Sequence, residues 1–386
     1  TCGSASSASG GGASDVSEDD TSDKATQATR ALEQQRRTEM ELHMEAETAV
    51  AALCGGAVLG VATVVKLSVN GNILGISGIV NGISVVVAKP GKADPWFWRL
   101  SFLVGFLVAG AVLRVAAPTT LQPFPASMTV ARVACAGALV GFGSSVGSGC
   151  TSGHGISGLT RFSPRSFVAT MTFMGAGFLT ASLSGSSDFF GPQLPPPVKL
   201  PWSIVYSLVL VVVALGFVPV VANLTTLPDD ATGASPDRPA RLATEFVAAT
   251  IFGLGLGIAG MGRPQEVISF LDVGDGDWDP SLALVMGAAL GITVPVYHLK
   301  LKKDSFKPVL NSKLDLPAKT KIDVQLVVGS ALFGIGWGLC GVCPGPALIG
   351  IFAPPIAGDE FWPLNRSGAF VGSMLAGTLL HKLVDL

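Results

Sequence analysis

Of 386 residues, only 25 are basic and 27 acidic, so charge falls to 13% of the chain against the ~25% usual in soluble proteins. Residues 1–50 hold fourteen of those charges, ten of them acidic, which leaves the other 336 residues sparsely charged and net positive. That distribution excludes an ordinary soluble fold, a nucleic-acid binder and a wholly disordered chain, and points to an all-α polytopic membrane protein.

Taken in chain order, residues 1–23 are Ser, Gly, Ala and acid and read as disordered. Residues 24–47 are polar helix formers and read as an exposed helix. The chain opens on Thr1 rather than Met, as a fragment or a processed product would. A helix needs ~20 mainly apolar residues to cross a bilayer. Such stretches occur at 48–67, 97–117, 129–147, 166–184, 202–223, 242–260, 281–299, 323–341 and 366–385, about nine transmembrane helices. The short alternating segments of a β-barrel are missing. Between the spans lie shorter apolar pieces, 72–88, 149–160, 261–271 and 343–354, broken by Gly, Pro or Ser. Irregular backbone at membrane depth has to be buried in protein or line a cavity, so these read as re-entrant broken helices, a pattern of transporters and channels. The resulting organisation is a polar tail at 1–47, a first membrane repeat at 48–223, a linker at 224–241 and a second repeat at 242–386.

Seven lysines, from Lys300 to Lys321, crowd one loop and place it on the cytoplasmic side or its equivalent. Two echoes suggest the repeat, taken to be in an inverted form. Leu74-Gly75-Ile76-Ser77-Gly78-Ile79 resembles Leu256-Gly257-Ile258-Ala259-Gly260-Met261, and Gly143 and Gly336 each stand seven residues before a cysteine, Cys150 and Cys343. A pseudo-two-fold transporter carries its site at the repeat interface.

Several motifs are decoys. Gly153–Gly158 and Gly255–Gly260 fit a dinucleotide fingerprint, but neither follows a short strand. Gly143–Gly147 fits a nucleophile elbow, yet no Asp or Glu lies between Asp94 and Asp188 to orient His154. Asp275, Asp277 and Asp279 start like a calcium loop that lacks its Gly and its bidentate Glu. Cys2 and Cys135 are given no role.

The chemistry concentrates in two stretches. Gly149-Cys150-Thr151-Ser152-Gly153-His154 sets a thiol, hydroxyls and an imidazole among glycines at membrane depth, where polar groups default to function. Its counterpart is Cys340-Gly341-Val342-Cys343-Pro344-Gly345, with Pro344 placed to start a helix. Between Pro95 and Ser187 stand five arginines and no carboxylate, so the cargo is an anion or neutral rather than a cation. Thiols are weak donors and polarizable, suited to a sulphur-bearing anion that must also leave. The substrate path is therefore assigned to Cys150, Cys343, His154, Gly149, Gly153, Thr151, Ser152, Pro344, Gly345, Cys340 and Cys54.

Gly149 through Gly158, then Gly260-Met261 with Pro264, Val267 and Phe270-Leu271-Asp272, then Trp278 through Leu282, then Gly336-Trp337-Gly338 and Cys343-Pro344-Gly345-Pro346, together resemble the YeeE/YedE sulphur-transport family. The resemblance covers about residues 48–386. It implies an all-helical, hourglass-like inner-membrane permease that takes up thiosulfate, with Cys150 and Cys343 in plunging loops contacting the ion. Glu266 departs from it, standing where a basic residue is expected. The expected protein is not an enzyme and has no cofactor. Its partners are thiosulfate or a related sulphur anion, the bilayer and a soluble sulphur-accepting protein, with no nucleic acid. Its place is a plasma membrane, with an organellar membrane as the alternative. Two rival functions are a membrane sulfurtransferase that forms a persulfide on Cys150 and a soft-metal (copper) carrier using Cys340, Cys343 and Cys150.

Overall fold

The structure is a computed structural model that describes residues 46–88, 96–190, 239–274, 278–303, 305–353 and 366–384. Among the described residues eleven α-helices appear: α1 (Ala46–Asn70), α2 (Ile76–Ala88), α3 (Phe97–Ala116), α4 (Val130–Val146), α5 (Pro164–Leu183) and α6 (Pro239–Ile258) come first. They are followed by α7 (Pro264–Leu271), α8 (Ser281–Val296), α9 (Val324–Cys340), α10 (Pro344–Gly350) and α11 (Arg366–Val384). A π-helical turn, Thr151–Gly158, lies between α4 and α5. Among the described residues there is no strand, only a single bridge between Asn72 and Asp315. The protein is an all-α polytopic membrane protein. Each predicted span coincides with a long helix, except 202–223, which lies outside the described residues along with most of the tail and the linker. Among the described residues six helices are long and apolar enough to cross a bilayer, or seven if α4 and the π-helical turn, bent by 45°, form one span. That is fewer than the nine expected, in part because α11 carries Arg366, His381 and Lys382 at its ends.

Local chemistry sets the ends of these helices. Thr129 caps α4 by accepting from the Arg132 N–H at 3.2 Å, and Asp323 caps α9 by accepting from the Leu326 N–H at 2.9 Å. Pro164, Pro264 and Pro344 occupy first-turn positions, where a missing N–H costs nothing. Gly341 ends α9 in the left-handed conformation, φ 69°, which a β-carbon would resist. In α8, Pro295 supplies no N–H, and the helix widens directly after it into the π-helical turn Tyr297–Leu301.

Glycine decides which helices touch. A β-carbon on Gly143 of α4 would collide with the backbone of Phe333 on α9. One on Gly336 of α9 would meet the Val140 backbone of α4 at 2.9 Å, and one on Gly147 would meet Ser330 at 3.3 Å. Residue numbers rise along α4 as they fall along α9, so the two cross antiparallel. α4 also packs on α11 through Gly141 against Met374, and α9 on α5 through Gly334 against Phe173. α3 packs on α6 through Gly105 against Phe246, and α1 on α8 through Gly56 against Val285. Each of these four pairs runs in parallel. Small residues let backbones approach this closely where lipid offers no hydrophobic drive for association. Residues 48–386 make up one compact unit.

Among the described residues, one charge pair inside it has both side chains wholly shielded from solvent. Lys66 of α1 bonds Glu245 of α6, and both side chains are fully buried. Asn70 donates to the same carboxylate at 2.9 Å, and the ammonium lies 5.1 Å from the Trp98 ring. Beyond it, the lysine-rich loop is tied to the end of α1 by Leu310 N–H to Val69 O at 2.8 Å and Asp315 N–H to Gly71 O at 2.7 Å.

The two sequence echoes fare differently. Gly143 and Gly336 take matching places in the α4–α9 crossing. Leu74–Ile79 leads into α2, whereas Leu256–Ile258 closes α6, so this echo joins unlike positions on the two sides of a helix break. Glycine-rich breaks share a composition whichever side of the break they occupy.

Gly143→Val or Gly336→Val should destabilise the protein by about 1–3 kcal/mol, because neither backbone can withdraw. Gly372→Ala, where a β-carbon meets nothing within 4 Å, should leave the thermal midpoint in detergent unchanged. Equal midpoints for all three would remove the crossing as a determinant of the fold.

Candidate functional site

The first broken segment leaves α4 through Gly147, Ser148 and Gly149. Ser148 sits at φ 58°, a strained conformation for a residue with a β-carbon. A β-carbon on Gly149 would overlap the His154 ring, so only glycine fits there. The His154 Nε2–H donates to Gly147 O at 3.2 Å, and its Nδ1 shares a hydrogen bond with Ser166 Oγ at 3.0 Å. A carbonyl only accepts, so Nε2 carries a proton. His154 therefore ties the turn to α5 with both nitrogens engaged. Ser152 Oγ accepts from the Ile76 N–H at 3.2 Å, and Ser157 Oγ donates to Leu74 O at 2.9 Å. These bonds hold the π-helical turn against the start of α2. Gly153 faces Gly75 at the same junction.

The second broken segment follows Gly341. Cys343 precedes α10, whose first residues are Pro344 and Gly345. A β-carbon on Gly345 would stand 2.7 Å from Ile76 Cδ1, so α10 also leans on α2. The two broken segments, 192 residues apart, meet where Thr151 Oγ1 donates to Cys343 Sγ at 3.5 Å. This contact is at the edge of a chamber of about 380 Å³ whose wall includes Thr151, Ser152 and Cys343. The remainder of the wall is almost wholly apolar, with the thioethers of Met171, Met174, Met261 and Met286.

The other assigned thiols are dispersed. Cys150 is buried one step behind the chamber wall, its Sγ 3.3 Å from Ser152 Oγ. Cys340 faces away, against Met128 Sδ at 3.6 Å. Cys54 is half-buried on α1 and outside the chamber wall. Cys135 is exposed on α4. Among the described residues no three His, Cys, Asp or Glu side chains converge as a metal site would require.

The sequence reading passed over Arg263. It is 2% exposed at the start of α7, its Nη1 lies 3.1 Å from Glu266 Oε1, and its Nε has no hydrogen-bond partner among the described residues. Its flanking residues Gly262 and Pro264 line a small cavity beside α10. The signal was present in Gly262-Arg263-Pro264: the cation expected after the proline stands just before it.

Comparison with known proteins bears on both halves. Residues 17–179 match a family described as Sulphur transport, a match that begins inside the polar stretch set aside as a tail. Residues 240–386 match a family of unknown function, DUF6691. A probable transporter of Xylella fastidiosa (strain Temecula1) is 38% identical over 144 residues, covering 90% of that protein and 37% of this chain. A second probable transporter of the same strain is 42% identical over 137 residues, covering 93% of that protein and 34% of this chain.

If His154 is a brace, His154→Ala strands Gly147 O and Ser166 Oγ, each at a cost of about 1–3 kcal/mol when left unpaired. The thermal midpoint should fall and Cys150 should react faster with a membrane-permeant maleimide. An unchanged midpoint together with unchanged reactivity would rule the brace out.

Proposed function

Because the chain belongs to the YeeE/YedE sulphur-transport family, we propose that it carries a sulphur-containing inorganic anion, thiosulfate above all, across the membrane past the junction of its two broken segments. The observation that carries this reading is the contact of Thr151 with Cys343. It joins two irregular segments, arriving from opposite halves of the chain, in a region without a carboxylate. Hydroxyl, thiol and backbone N–H groups there can replace part of an anion's hydration in turn. None holds it tightly, and weak sites in series are what throughput requires.

Helix packing supports the further reading that residues 48–223 and 242–386 are inverted repeats joined by a linker at 224–241. Exchange of the halves maps α4 onto α9, α11 onto α5, and α3·α6 onto α8·α1, and each of these partnerships is present on both sides. Gly143 against Phe333 and Gly336 against Val140 are then the same contact seen twice. Antiparallel passage of α4 and α9 sets the axis in the membrane plane, as in transporters built from inverted halves. On this reading the lysine-rich loop marks the cytoplasmic exit, and Arg263 attracts the anion at the opposite mouth. A soluble sulphur-accepting protein at the exit and a plasma-membrane location complete the proposal.

The sulfurtransferase alternative requires a base beside the nucleophilic thiol. Both His154 nitrogens are engaged elsewhere, which favours transport without a covalent step.

Purified protein in proteoliposomes should accumulate radiolabelled thiosulfate without releasing sulphite. Cys150→Ala should lower uptake about five- to 150-fold, the kinetic equivalent of ~1–3 kcal/mol. Cys150→Ser should fall between wild type and Ala, since a hydroxyl also donates but is less polarizable. Cys135→Ala should transport normally. Sulphite release, or Cys150→Ser as inactive as Ala, would instead indicate a persulfide. Full uptake by Cys150→Ala would sink the path.

A further inference from the structure

The chamber beside Cys343 is open on one flank. Its outer rim is formed by Met171 of α5, which is half exposed, and by Ala283 and Gly287 of α8, which are also exposed. Both helices are apolar enough to cross a bilayer; Met171 lies near the middle of α5, and Ala283 and Gly287 lie in the first two turns of α8. The opening therefore faces hydrocarbon rather than water. The inner wall ends on Trp337, only 3% exposed, and on Phe173 and Phe270. A lining that is almost all apolar offers water few of the about two to four polar partners it needs and suits a non-polar chain better. The space beside Gly287 is open, since a β-carbon there would meet nothing within 4 Å.

We propose that this chamber is a lipid site: one acyl chain of a surrounding bilayer lipid enters between α5 and α8 and ends near Trp337, sealing the membrane side of the Thr151–Cys343 junction. The site takes a flexible, uncharged hydrocarbon chain. The lipid headgroup stays outside, since the chamber wall carries no charged side chain. The inference depends on the membrane placement alone and not on which anion is carried.

The test uses the full chain in bilayers of lipid brominated at mid-chain, with the other five tryptophans replaced by Phe so that Trp337 alone reports. Bulk lipid does not touch a side chain this buried, so severalfold quenching of Trp337 is expected only if a chain occupies the chamber. Gly287→Phe, which fills the passage, should restore most of the emission. An unquenched Trp337, as expected if water, a second copy or another part of this chain closes the flank, would overturn the proposal. Quenching that Gly287→Phe leaves unchanged would do the same. Should the single-tryptophan chain fail to fold, the otherwise unaltered chain should lose quenching on Gly287→Phe, and an identical signal would overturn the site. Anion uptake is not read here, so the lipid site and the transport reading fail independently.

Discussion

The crossing of α4 and α9 is the constraint on which the rest depends. Each helix ends in a break followed by a cysteine, and the two breaks meet only because the helices touch along backbone at Gly143, Gly147 and Gly336. A larger residue at any of these positions would force the helices apart, and Thr151 would no longer reach Cys343. The outer partners, α11 on α4 and α5 on α9, hold the crossing from both sides through Gly141 and Gly334. Close packing of this kind transmits displacement, because a dense interior has little room to absorb it.

The chemical character of the junction follows from where the breaks fall. Backbone that leaves a helix within a membrane must be satisfied locally. Here that work falls to His154, Ser152 and Ser157, which bind Gly147, Ile76 and Leu74. These polar groups are largely committed to holding the loop. The groups left facing the chamber are few: the hydroxyls of Thr151 and Thr170, the Cys343 thiol and a set of thioethers. Such a surface favours a polarizable ligand and offers little to a hard cation.

The spans and breaks were legible in the sequence, since apolar length and Gly or Pro punctuation are local signals; α2, α7, α10 and the π-helical turn fall where the broken segments were expected. Whatever depends on pairing distant residues was not legible. His154 stands beside a thiol in sequence, but its two partners are Gly147 and Ser166, and only the fold shows that both nitrogens are occupied. Cys340 and Cys343 look like a pair, yet Gly341 turns the chain between them and sends Cys340 to Met128. The echo between Leu74 and Leu256 misled because composition does not record the direction in which a helix break is entered.

The buried pair of Lys66 and Glu245 has a consequence for assembly. The carboxylate follows the ammonium by 179 residues, so α1 is synthesised and delivered to the membrane well before its counterion exists. An unpaired ammonium is not stable in hydrocarbon, but Lys66 lies near the end of α1 and its long side chain can reach the headgroups in the interval. Final seating of α1 must then wait until α6 arrives. The order of synthesis thus makes the seating of α1 one of the later events in maturation, well after that helix has entered the bilayer.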